Sequence, residues 1–134
     1  MPVVNRGVAT LDGIGIQRMK LGMNSRLTTT QGTLAKEIMS IPLKDERVMH
    51  VNVVVTAINR DTGEGAVYQE IVGVKKDGEI TSLLGSLPVA EFEEGAMTAC
   101  DMNFVAGGPN LVVLVTGIDG ERVDWSCNAM AVGL

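Results

Sequence analysis

Hydrophobic and polar residues alternate with a period of two in several short blocks. In residues 48–58, Val51, Val53, Val55 and Ala57 share one side, while His50, Asn52, Val54 and Thr56 share the other. Near the C-terminus Val123, Trp125, Cys127, Ala129 and Ala131 alternate with Asp124, Ser126, Asn128 and Met130. Successive strand side chains point to opposite faces, so this period predicts half-buried strands. Residues 66–75 and 80–84 form further strand candidates. In 96–106, Cys100, Met102 and Phe104 fall on one face. Residues 111–116 (LVVLVT) are an aliphatic, β-branched run too short for a convincing helix.

Turn chemistry separates these blocks. Asn59-Arg60-Asp61-Thr62-Gly63 and Lys76-Asp77-Gly78-Glu79 predict reversals, as do residues 44–47 and 107–110. Gly117 and Asp119-Gly120 predict that 111–116 and 123–132 pair as a closing β-hairpin, with Trp125 on its inner face. Gly85 and Pro88 bound the strand at 80–84. Residues 91–95 predict an acidic loop, with a single helical turn over 89–94 as the alternative. Roughly six or seven short strands at such spacing predict an all-β fold, an antiparallel β-sandwich or jelly roll.

Residues 1–32 differ from this body, residues 33–134. Glycines interrupt each apolar run there, and short β pieces are predicted only at 3–4 and 15–19. We read an extended N-terminal arm, with an N-terminal strand pair folded onto the body as the alternative. Arg6, Arg18, Lys20 and Arg26 face only Asp12 within residues 1–30, whereas the chain as a whole carries −5. A basic leader on an acidic body predicts docking through those four cations onto a partner of opposite sign.

Hydrophobic residues make up 46% of the 134 but aromatics only 3%, so aliphatic side chains must fill the core. Trp125, Phe104, Val53 and Val113 are its expected anchors. No apolar run approaches the roughly 20 residues of a membrane-spanning helix, and residues 1–13 lack a signal-peptide pattern. Cytoplasmic synthesis and no membrane partner are therefore expected. Cys100 and Cys127 are expected as buried thiols. The acidic body argues against nucleic acid.

Candidate chemistry is sparse. His50 is the only histidine and lies in mid-strand without a nucleophile on a recognisable elbow. Two cysteines and one distant histidine make no structural zinc set. Glu91, Glu93 and Glu94 suit a solvated surface, and the Gly13-Ile14-Gly15 step lacks the setting of a dinucleotide site. The sequence predicts no catalytic constellation, no cofactor, no metal and no enzymatic activity.

Several of these residues carry a resemblance. Ile41-Pro42-Leu43, residues 48–58 running into Arg60-Asp61-Thr62-Gly63, Ala66-Val67-Tyr68, Val74-Lys75-Lys76-Asp77-Gly78 and the final Val123-Asp124-Trp125 resemble a small β domain of tailed-bacteriophage virions. The likeness covers residues 33–132. It implies a structural component of the particle: a trimeric capsid decoration (cement) protein bound to the major capsid protein, or a module of a head, collar or tail fibre that binds the host surface. The short chain and basic arm favour decoration, with assembly in the host cytoplasm and location on the capsid surface.

Overall fold

The computed structural model describes residues 20–43, 47–106 and 108–133. The strand pieces expected within 1–19, most of the charged turn at 44–46 and Gly107 lie outside them. The described residues form eight strands: β1 Lys20–Thr30, β2 Lys36–Pro42, β3 Val48–Asn59, β4 Gly65–Asp77, β5 Ile80–Glu93, β6 Asp101–Val105, β7 Asn110–Thr116 and β8 Val123–Gly133, with a 3-10 turn at Gly95–Ala99. All pairings are antiparallel. One sheet has the order β1-β8-β3-β4-β5 and the other β2-β7-β6. The chain is an all-β sandwich.

Alternation places the core. Val51, Val53, Val55, Val72, Val74 and Trp125 from the larger sheet meet Met39, Ile41, Leu111, Val113 and Val115 from the smaller one. Burying each such aliphatic side chain contributes roughly 1.5–3 kcal/mol. Of the expected anchors, Trp125, Val53 and Val113 are buried, while Phe104 is only partly buried and packs on the core's margin. In β2 the register slips between Glu37 and Met39, and Ile38 and Met39 both become buried. A bulge places two residues against one on the partner, which breaks simple alternation.

Three expectations are corrected. Residues 111–116 and 123–132 do not pair as a hairpin: β7 lies in the smaller sheet and β8 in the larger. The connection crosses between layers, so both strands can bury one face against the other. Residues 80–93 are one long strand through Gly85 and Pro88, with neither a break at 85 nor a helical turn at 89–94. The register skips Leu84 and Val89, and these two bulges carry the strand past both disruptive residues. Residues 20–30, assigned to the arm, form β1, paired with β8 from Lys20–Gly133 to Thr30–Val123.

Turns follow from their residues. Gly78 has φ +63 in the two-residue loop between β4 and β5, a left-handed backbone that suits a tight hairpin. In the β3–β4 connection Asn59 is fully buried; its Oδ1 accepts from the backbone N–H of Asp61 and Thr62, and its Nδ2 donates to Glu121 Oε1.

Candidate functional site

The larger sheet has two unlike faces. Its inner face is the core. Its outer face is set by the register: Leu27, Ser126, Thr56, Val67 and Phe92 lie side by side across all five strands. The neighbouring row is Ser25, Asn128, Val54, Gln69 and Ala90, followed by Met130, Asn52, Ile71 and Leu87, then Val132, His50, Gly73 and Gly85. None of these is Asp, Glu, Lys or Arg, although such residues make up 20% of the chain. Charge returns only at the ends, at Asp124 beside β1 and at Lys75 on β4.

The polar groups on this face are hydroxyls, amides and the His50 imidazole. Thr56 Oγ1 and Ser126 Oγ share a hydrogen bond of 2.6 Å, and Gln69 Nε2 donates to Asn52 Oδ1 at 3.1 Å. Large apolar side chains remain in water among them: Leu27 is 81% exposed, Phe92 67% and Leu87 60%. Soluble surfaces ordinarily intersperse charges of both signs and keep apolar patches small. A face without Asp, Glu, Lys or Arg that spans five strands departs from that pattern.

β5 adds to it. This edge strand overhangs the smaller sheet, so apolar residues outside the four rows above, Leu83, Leu84 and Val89, are exposed as well. Its acidic end is occupied by local bonds. Tyr68 Oη donates to Glu93 Oε2 at 2.6 Å, and burial together with that carboxylate pushes the Tyr68 phenol far above its ordinary range. Glu94 Oε1 accepts from Gly65 N, and Glu64 Oε1 accepts from Ala96 N. These carboxylates secure the β3–β4 and β5–β6 connections. The depression lined by Thr56, Val67, Phe92 and the acidic residues at the end of β5 gathers no histidine or cysteine. No group of three or more potential metal ligands occurs among the described residues. No helix among them is long and apolar enough to cross a membrane.

Of the four arm cations, only Lys20 and Arg26 fall among the described residues; Arg6 and Arg18 lie outside them. Lys20 begins β1 opposite Gly133, and Arg26, opposite Cys127, is exposed and donates to the Ser25 carbonyl. His50 is exposed on the outer face. Both cysteines are buried free thiols, and burial pushes each up to about 11. Sequence reasoning missed the neutral face, although half its signal was present: the polar sides of 48–58 and 123–131 contain only one charge, Asp124.

No protein-family model matches the chain, and no curated protein matches it. Among solved structures it is similar to three tailspike proteins of Acinetobacter phages. One is the gp49 tailspike of Acinetobacter baumannii bacteriophage Fri1, a capsular polysaccharide depolymerase, at 12% identity and TM-score 0.41 over 87% of this chain and 19% of that one. The tailspike of A. baumannii phage AM24 matches at 12% identity and TM-score 0.38 over 84% and 25%. That of Acinetobacter phage vB_ApiP_P1 matches at 14% identity and TM-score 0.36 over 97% and 24%. The chain thus spans a quarter or less of each tailspike. Identities and scores this low pair no residue here with a functional residue there. They do correct one expectation: the first match is an enzyme, so the non-enzymatic reading is withdrawn. None of the three is a capsid decoration protein, and the expected capsid-surface location gains no support.

Proposed function

We propose that this chain is an assembly domain of a phage virion protein, located in a tail appendage of the fibre or tailspike kind, where it joins protein subunits. The observation that carries the reading is the uncharged outer face of the five-stranded sheet. It offers broad contact area and neutral hydrogen-bonding groups. The virion setting follows the resemblance of the Arg60-Asp61-Thr62-Gly63 turn and the Trp125 strand to phage β domains.

The structure favours the appendage over the capsid shell on one point. Decoration was expected to act through the extended basic arm of residues 1–32, and two of its four cations, Lys20 and Arg26, belong to β1, which pairs with β8. A strand held along its full length cannot reach across a lattice as a disordered leader could.

The reading is tested on particles. Gold-labelled antibody against the purified chain is expected to mark the tail end at a few copies per particle. Labelling spread over the head at hundreds of copies would return the decoration reading, and absence from purified particles would end the virion assignment.

A further inference from the structure

The outer sheet face needs an occupant, and its chemistry restricts which one. The geometry points to a second copy of this chain, seated on the outer face of the larger sheet with Asn128 near the centre of the contact. This rests on the reading of that face as a joint between protein subunits and names the partner, but does not depend on the virion setting.

Charge supplies the first reason. The chain carries −5, so two copies repel unless they meet where neither presents charge. The outer face is such a place, with Asp124 and Lys75 at its ends. A strongly charged partner would find nothing complementary there, and burying its charges against a neutral face would carry a desolvation penalty.

Self-complementarity supplies the second. In a symmetric contact a residue meets its own twin or a near neighbour. Lysine offers only donors and ionised glutamate only acceptors, so either fails against its own kind. Amides and hydroxyls both donate and accept. Asn52, Gln69, Asn128, Thr56 and Ser126 can therefore be satisfied against an identical surface in many registers.

Size supplies the third. Strands lie about 4.8 Å apart and rise about 3.4 Å per residue, so the uncharged rows cover on the order of 600 Å² of flat sheet. Side-chain relief raises the accessible area above that, toward the roughly 800 Å² per partner of a stable interface. Phe92, Leu87, Met130 and Leu27 provide the exposed apolar contacts.

The test uses the full chain in solution. Sedimentation is expected to show an oligomer, and radical footprinting to find Phe92 and Met130 protected within it. The substitution Asn128→Glu puts a like charge into each copy of the contact. It is expected to weaken association at least ~100-fold, returning the 14.2 kDa monomer and exposing both side chains to labelling. The same charge placed by Val105→Glu on the outside of the smaller sheet is expected to leave the oligomer intact. Should the Asn128 variant lose its Trp125 fluorescence signature, Thr56→Lys, at another exposed position on the face, carries the test. A native monomer overturns the proposal, as does an oligomer that survives both charges. A native monomer with Phe92 and Met130 protected overturns it too.

Discussion

Trp125 Nε1 donates a 2.9 Å hydrogen bond to Thr30 Oγ1, closing the last turn of the β1–β8 pairing across 95 residues of sequence. Both side chains are buried, and Trp125 also stacks near Tyr68, with ring centroids 6.4 Å apart. A buried indole N–H without a partner costs about 1–3 kcal/mol. Thr30→Val is therefore expected to lower unfolding stability by about that amount, and Thr30→Ser to retain most of it. Urea titration followed by Trp125 fluorescence reads both.

Gly117 lies against the same threonine. A Cβ at this position would overlap Thr30 Oγ1 and crowd the Gly32 carbonyl. Gly117→Ala should destabilise by about 1–3 kcal/mol, the usual range for overpacking. Because Thr30 must move to make room, the Trp125 emission maximum should shift as well. An unshifted spectrum with wild-type stability would show that the crossover between sheets has slack.

Asn59 holds the β3–β4 connection from within. Asn59→Ala strands two backbone N–H groups and removes the donor to Glu121, with an expected loss of about 1–3 kcal/mol. Asn59→Asp keeps the acceptor but sets a carboxylate beside Glu121, so its deficit should grow as pH rises through the carboxylate range. Thermal melts of both variants at two pH values separate these effects.

Asp124 is held down to about 2 by hydrogen bonds, first from Arg60 and then from Thr29, with Arg122 adding to them. A carboxyl lowered in the folded state stabilises it fully above its unfolded value near 3.8 and loses that contribution as pH falls toward 2. Acid unfolding of Asp124→Asn should therefore be less steep than that of the native chain over this window. The two curves should keep a constant offset above about pH 5.

The buried thiols give the opposite sign. Burial raises Cys127 from 9 to about 11, so the folded state favours the neutral thiol. The associated stability is present below pH 9 and fades as pH rises toward 11. Cys127 should resist a thiol-directed reagent in the native protein and react only at the rate of unfolding. Rapid native-state labelling would show that the core opens locally around β8.

Much of the core was legible because alternation reports which side of a strand meets the interior. The set Val123, Trp125, Cys127, Ala129 and Ala131 is buried as a block. Alternation does not report which sheet a strand joins, and that is why β7 and β8 were expected to pair. β5 escaped recognition for a different reason. A strand that overhangs its opposing sheet has no continuously buried side, so its apolar residues follow no period. The candidate surface was hidden because its rows exist only across strands: Asn128 and Val54 become neighbours through pairing between residues far apart in sequence.

The two register slips in β5, together with Pro88, give the overhanging strand a further property. An even edge would template another strand, and that strand the next, as in a fibre. Here the ladder is interrupted near Leu84 and Val89, and Pro88 offers no N–H to an incoming chain. This apolar border is thus also an irregular one, which disfavours open-ended growth by strand addition along it.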